Sequence, residues 1–127
     1  MRLSLLALVF LGGGIGSVCR YAMATALQKG APGPFPVGTF WVNLVGCFAI
    51  GLVGALGLER AALSPEARTF LMVGILGGFT TFSSFAWETL GLLSVKDFLR
   101  TTLYVGGSVF LGLLGALLGR SIGRLGS

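Results

Sequence analysis

The sequence predicts an all-α membrane protein, a single unit of four transmembrane helices with the third helix broken at Gly77–Thr81. Composition is the first reason: 54% of the residues are hydrophobic and only 10% are charged, whereas soluble domains carry about 25% charged residues. The second reason is length, because each apolar run has the roughly 20 residues that cross a bilayer. The third is the segment Gly77–Phe85 (GGFTTFSSF), in which glycines and hydroxyls interrupt an apolar run.

The four predicted spans and their connections follow from hydropathy and turn residues. The spans cover about residues 3–27, 38–58, 69–93 and 99–118. A signal peptide is an alternative for the first, since Arg2 precedes an apolar stretch and Ala22-Met23-Ala24 resembles a cleavage site. A span is favoured, because the apolar run before Arg20 is long and three more spans follow. Residues 28–37 hold three of the four prolines and form a predicted linker.

Two local patterns concern helix ends and helix packing. Ser64 followed by Pro65 is typical of a helix start, with the serine as cap and the proline at the first position. Glycines four residues apart let helix backbones approach closely in lipid. Such pairs are Gly12 and Gly16, Gly74 and Gly78, Gly115 and Gly119, and Gly119 and Gly123. The pairs predict close helix packing and say nothing about a solute.

Charge is distributed almost evenly between the two sides of the predicted membrane domain. An even number of spans places both termini on one side, which collects Arg2, Arg60, Arg68, Arg120 and Arg124. The other side has Lys29, Lys96 and Arg100, with Arg20 near a span end. This is a weak bias for the rule that positive loops stay in the cytoplasm. We therefore expect insertion in both orientations and an antiparallel two-fold dimer.

Several classes of function are disfavoured by what the sequence contains. The net charge of +5 is scattered along the chain and forms no basic patch with aromatics, which argues against nucleic-acid binding. There is no histidine, and Cys19 and Cys47 both lie in apolar runs, where small buried residues are the simple interpretation. No nucleophile–base pair or carboxylate pair is present. We expect neither an enzyme nor a Cys/His metal site.

The broken third span is instead typical of an ion pathway. Gly-Gly weakens a helix, and hydroxyls can bond backbone groups, ions or one another. Irregular backbone at membrane depth is tolerated only where protein covers it or where it lines a wet cavity. Broken membrane helices also free carbonyl and amide ends that hold ions. The sequence therefore predicts that the pathway is centred on residues 77–85.

Neutral hydrogen-bond donors form two predicted tracks beside this break. Thr39 and Asn43 are four residues apart on the second span, and Tyr104 and Ser108 are four apart on the fourth. Interhelical bonding is the alternative for a lone buried asparagine. Two tracks next to a broken helix favour the lining of a pathway.

Three further sets of residues keep more than one interpretation. Phe82 and Phe85 share a helix face and either pack in the core or present their positive ring edges to an anion. Arg20 either reaches the interface, braces a helix end or concentrates anions at a pore mouth. Glu88 is either protonated, hydrogen-bonded to hydroxyls or at the water boundary.

These motifs resemble the Fluc (CrcB) family of bacterial fluoride channels over essentially the whole chain. The matching stretches are GGGIGSVCRY (Gly12–Tyr21), GTFWVNLVGCF (Gly38–Phe48), GGFTTFSSF with Glu88, and the Tyr104/Ser108 track. The resemblance implies a dual-topology antiparallel homodimer with two pores in the bacterial cytoplasmic (inner) membrane. It also implies passive export of toxic cytoplasmic fluoride.

The resemblance further implies roles for individual residues. Its pore residues fall on Asn43, Phe82, Phe85, Thr39, Tyr104 and Ser108, and its vestibule on Ser83, Ser84, Glu88 and Arg20. A structural sodium ion, the implied cofactor, is held by the main-chain carbonyls of Gly77 and Thr80. Some relatives carry a further serine where this chain has Gly112, so the lower part of the polar track differs. The expected partners are fluoride, membrane lipid and a second copy of the chain.

Two other classes of membrane protein fit four short spans. A small proton-coupled antiporter depends on a carboxylate in its first span, and this chain has no acid there. Its flux would follow a proton gradient, whereas channel flux would not. A membrane scaffold would use the glycine faces alone, would pass no ions, and would leave the spacing of hydroxyls and phenylalanines unexplained.

Overall fold

The computed structural model describes residues 1–126, and they form four helical spans joined by short connections. Helix α1 is Leu3–Gly30, α2 is Val37–Glu59, α3 covers residues 65–79, α4 is Phe82–Ser94 and α5 is Phe98–Arg124. Each of the four spans is long and apolar enough to cross a membrane, with α3 and α4 together making the third span. The helices extend beyond the predicted spans, by as many as six residues where α5 ends at Arg124 rather than at residue 118.

The third span is broken as predicted, but the break is narrow. Gly77–Phe79 is still helical, and only Thr80 and Thr81 adopt extended backbone, with ψ values of 157° and 120°. The chain before them, Thr69–Leu76, is π-helical, a geometry that is frequent at functional sites. The glycines before the break therefore do not themselves leave the helix.

Glycines join the spans into two closely packed pairs, α1 with α3 and α2 with α5. A Cβ atom on Gly16 would lie 2.0 Å from the Ile75 carbonyl oxygen, and one on Gly78 would lie 2.4 Å from the Gly13 oxygen. On the other pair, a Cβ on Gly119 would lie 2.1 Å from the Phe48 oxygen. These distances leave no room for a side chain, so the predicted role of the glycines in close packing is confirmed at these positions.

The helix ends are capped by side chains that the sequence partly identified. Ser64 Oγ accepts a hydrogen bond from the Ala67 N–H at 3.1 Å, with Pro65 at the first helical position as predicted. Asp97 caps α5 through the Arg100 N–H at 3.1 Å. The side chain and backbone N–H of Arg100 hold the pKa of the Asp97 carboxyl below its ordinary value. The linker before α2 is tied by Gln28, whose Nε2 donates to the Phe35 carbonyl at 3.2 Å.

Both chain ends lie on one side of the four spans, where arginines link the end of α2 to the end of α5. Glu59 at the end of α2 accepts from Arg120 at 2.6 Å and also from Arg124. Arg60 donates to the Gly123 carbonyl at 3.3 Å. The end of the second span is therefore fastened to the end of the fourth.

The outer surface of the chain is strongly apolar. Large side chains on it include Phe10 (79% exposed), Trp87 (76%) and Leu113 (69%). The core is small and includes Val42 and Tyr104, both fully buried. A surface of this kind suits lipid or another protein chain rather than water.

Candidate functional site

The break in the third span is held open by one side chain of α2. Asn43 Nδ2 donates to the Thr81 carbonyl at 2.9 Å, and Asn43 Oδ1 accepts from the Thr81 N–H at 2.8 Å. The amide thus replaces the backbone partners that Thr81 loses by leaving the helix, which a buried backbone requires. An asparagine amide carries two N–H groups, so a second donor is left beyond the bond to Thr81. Asn43 therefore links α2 to the third span by hydrogen bonds. It also lines the groove described next.

A groove of about 310 Å³ runs beside the break. Its lining residues are Asn43, Gly46, Cys47, Ile50, Thr80, Thr81, Phe82, Phe85, Ser108 and Val109. Four of the six predicted pore residues are among them, and they come from α2, α4 and α5. The structure therefore brings the predicted asparagine, both phenylalanines and one hydroxyl of the second track to a single groove.

The two phenylalanines share a face of α4, as their spacing predicts. Their ring centroids are 5.7 Å apart, and the Phe85 ring lies 5.1 Å from the Tyr104 ring. Phe82 remains 80% exposed, so it does not pack in the core of this chain. The core-packing interpretation therefore fails for Phe82 within the single chain.

Ser108 is the hydroxyl of α5 that meets the groove. Its Oγ atom is buried and has no hydrogen-bond partner among residues 1–126. Buried polar groups are almost always paired, and the Ser108 hydroxyl is an exception among the residues that line the groove.

Thr39 and Tyr104 face Glu88 rather than the groove. Thr39 Oγ1 donates to Glu88 Oε1 at 2.7 Å, and the Tyr104 hydroxyl donates to Oε2 at 2.6 Å. Both donors are buried, and the half-buried carboxyl group is held by hydrogen bonds from α2 and α5. Of the three interpretations of Glu88, hydrogen bonding to hydroxyls is the one observed.

The other predicted vestibule residues lie apart from Glu88. Ser84 Oγ accepts from Thr81 Oγ1 at 3.1 Å, and the Ser83 hydroxyl is 3.4 Å from the same oxygen. The Arg20 side chain makes no hydrogen bond or ion pair within residues 1–126. The structure thus groups Ser83 and Ser84 with the break and leaves Arg20 separate on α1.

Thr81 is a functional candidate that the sequence reasoning did not single out. Its Oγ1 accepts from the Ser84 N–H at 3.1 Å and caps α4. A threonine three residues before Ser84, directly ahead of a helix, is a recognisable cap signal. Its second role, as the backbone partner of Asn43, depends on a contact across 38 residues of sequence.

The backbone at the break offers carbonyl oxygens, the ligands that sodium prefers as a hard cation. In a continuous helix the N–H of residue i bonds the carbonyl of residue i−4, so Thr81 would donate to Gly77 and Ser84 to Thr80. Here the Thr81 N–H donates to Asn43 and the Ser84 N–H donates to the Thr81 side chain. The two carbonyls named for sodium are the ones whose helical donors have been diverted, so the residues present fit such an ion.

These features define a multi-pass membrane protein with a small, mainly apolar groove, lined by a few polar side chains, beside a broken helix. Comparison with known proteins agrees. A family model described as "CrcB-like protein, Camphor Resistance (CrcB)" matches residues 7–120. The fluoride-specific ion channel FluC of Nitratidesulfovibrio vulgaris is 45% identical over 120 residues, covering 94% of this chain and 97% of the relative. FluC of Thermus thermophilus is 52% identical over 116 residues, 91% of each chain.

The chain belongs to the CrcB/FluC family of fluoride channels. The predicted membership is confirmed, and the family consists of channels rather than enzymes or antiporters.

Proposed function

We propose that this fluoride channel is an antiparallel, dual-topology homodimer with two pores that passively export cytoplasmic fluoride across the bacterial inner membrane. The supporting observation is the coincidence of the groove with Asn43, Phe82, Phe85 and Ser108, which were assigned to the pore from sequence. The nearly even division of positive residues between the two sides supports insertion in both orientations. The apolar outer surface supports burial of one face against a second copy.

Fluoride is small and strongly hydrated, so a pore for it must replace several waters in a narrow space. The free Nδ2–H of Asn43, the Ser108 hydroxyl and the edges of the Phe82 and Phe85 rings supply positive partial charge without a fixed cation. A strong cationic site would hold the anion, and conduction requires that it leave. These uncharged groups therefore suit passage rather than storage.

Glu88 belongs to the proposed pathway through its partners. Its two oxygens are occupied by Thr39 and Tyr104, and it is not part of the groove lining. These two hydrogen bonds hold the carboxyl group outside the groove lining. Ser83, Ser84 and Arg20 remain proposed vestibule residues.

The proposed sodium site uses the carbonyls of Gly77 and Thr80. Gly77 is exposed and Thr80 half-buried in the single chain, so both can be covered by a second copy. When bound, sodium would neutralise the partial negative charge of the carbonyls at the break.

Fluoride-electrode efflux from proteoliposomes tests the pore, with chloride as the comparison ion. Phe82→Ile removes a ring edge, and Asn43→Asp replaces an amide donor with an acceptor. Each is expected to slow fluoride efflux about tenfold or more, which corresponds to about 1.4 kcal/mol in the barrier, while the dimer stays folded. Phe110→Ile is the matched control, because Phe110 is an exposed phenylalanine of α5 outside the groove.

Wild-type efflux in both Phe82→Ile and Asn43→Asp would remove these residues from the pore. Vesicles with wild-type protein that retained fluoride would end the channel proposal as a whole.

A further inference from the structure

The break in the third span frees two carbonyl groups, and two side chains are responsible. Asn43 Oδ1 takes the Thr81 N–H at 2.8 Å, and Thr81 Oγ1 takes the Ser84 N–H at 3.1 Å. In an unbroken helix these N–H groups would bond the carbonyls of Gly77 and Thr80. Both diversions therefore act on the carbonyls proposed as sodium ligands.

We propose that Asn43 and Thr81 are positioning residues for the cation site, keeping the Gly77 and Thr80 carbonyls free by holding the N–H groups that would otherwise bond them. This inference rests on the proposed sodium site and goes beyond it, because neither side chain is itself a ligand. Asn43 then has two separate tasks, one at each end of its amide. Its oxygen holds the Thr81 N–H, which would otherwise bond the Gly77 carbonyl. Its nitrogen carries a further N–H, and the residue lines the groove.

The geometry around the break supports a dedicated arrangement rather than local disorder of the backbone. The Asn43 amide makes two bonds to Thr81, at 2.8 and 2.9 Å, so both the N–H and the carbonyl of Thr81 are fixed. Thr80 donates two hydrogen bonds to the Leu76 carbonyl, one from its N–H at 3.0 Å and one from Oγ1 at 2.8 Å. The two threonines thus end one helix and begin the next, and the Gly77 and Thr80 carbonyls lose the N–H groups that would bond them in a continuous helix.

The test measures sodium binding and thermal stability in the full-length protein, separately from fluoride flux. The unfolding midpoint of purified protein is recorded while sodium replaces N-methylglucamine at constant chloride, which gives the sodium concentration of half-maximal stabilisation. A cation that binds only the folded protein raises the midpoint with its concentration. Thr81→Val releases the Ser84 N–H, and Asn43→Leu releases the Thr81 N–H.

Wild type is expected to show a sodium-dependent rise in midpoint. Thr81→Val and Asn43→Leu are each expected to need about tenfold more sodium for half-maximal stabilisation, because a competing hydrogen bond opposes each ligand carbonyl. Thr81→Ser keeps the hydroxyl and is expected to match wild type. Thr89→Val is the matched control, because Thr89 Oγ1 bonds its own helix at the Phe85 carbonyl and does not touch the break.

The outcomes separate this inference from the proposal on which it rests. Sodium dependence in Thr81→Val and Asn43→Leu equal to that of wild type would overturn the inference and leave the sodium site standing. No sodium dependence in wild type would overturn both. If either variant does not fold, bound sodium is measured by flame emission on the folded Thr81→Ser and Thr81→Ala proteins; equal sodium content in these two would also overturn the inference.

Discussion

At the scale of single residues, the hydroxyls near the groove divide by what they contact. Thr39 and Tyr104 bond the Glu88 carboxyl group at 2.7 and 2.6 Å. Ser108, one turn after Tyr104, has a buried oxygen without a partner among residues 1–126. In the predicted track of Tyr104 and Ser108, the first hydroxyl is thus bonded to an acid and the second is buried without a partner. A spacing of four residues, as between Tyr104 and Ser108, does not by itself give two hydroxyl groups the same role.

Thr39→Val tests the importance of the hydrogen bond to Glu88. Valine keeps the shape of threonine but removes the donor, so one oxygen of the half-buried carboxyl group loses its partner. A hydrogen bond contributes about 1 kcal/mol, and we expect a lower unfolding midpoint together with several-fold slower fluoride efflux. Thr39→Ser, which keeps the hydroxyl, should preserve both properties. Equal values for the valine and serine variants would show that the hydrogen bond has no part in either.

At the scale of helices, close approach of backbones decides where glycine is required. Gly77 and Gly78 lie in a helical turn, and the break comes after them at Thr80 and Thr81. Gly78 is needed because α1 passes against it, with the Gly13 oxygen 2.4 Å from the position of a Cβ. Gly78 therefore serves packing, whereas a Cβ on Gly77 would meet only the Met72 oxygen at 3.7 Å, an ordinary contact. The two threonines with Asn43 make the break.

Gly16→Ala and Gly14→Ala form a matched pair on α1. A Cβ on Gly16 would lie 2.0 Å from the Ile75 oxygen, whereas one on Gly14 would have nothing within 4 Å. Overpacking a tight contact costs about 1–3 kcal/mol, so Gly16→Ala should lower the unfolding midpoint and the yield of folded protein. Gly14→Ala should be neutral or slightly stabilising, because alanine favours helix. A midpoint for Gly16→Ala as high as that for Gly14→Ala would contradict the packing assigned to α1 and α3.

At the scale of the whole molecule, the two sides differ little in charge. Arg2, Arg60, Arg68, Arg120 and Arg124 lie toward the chain ends, but Glu59 binds two of them and Arg60 bonds carbonyls at the end of α5. Orientation is set by positive residues near the span ends. A chain with so small a difference is expected to insert both ways, as an antiparallel dimer requires.

Added lysines test this directly. Ser94→Lys with Val95→Lys adds positive charge at the turn between α4 and α5, and Ala62→Lys with Glu66→Lys adds it on the side of the chain ends. Each pair should force one orientation, reported by a fused topology marker, and each alone should lose fluoride efflux because antiparallel partners are missing. Co-expression of the two should restore it. Full efflux from either fixed orientation alone would contradict the antiparallel dimer.

Sequence alone determined the number of spans, the location of the break and the types of residue around it. These depend on hydrophobic length and on local chemistry, which act over a few neighbouring positions. It also predicted the grouping of Phe82 with Phe85, because three residues along a helix fall on one face.

Only the tertiary structure decided which groups meet. The bonds from Asn43 to Thr81 and from Thr39 to Glu88 span 38 and 49 residues of sequence. They depend on how far each helix is rotated and how closely glycines let it approach, which no local pattern encodes. For the same reason Phe35 of the linker, whose ring lies 5.5 Å from Tyr104, could not be placed from its position in the chain.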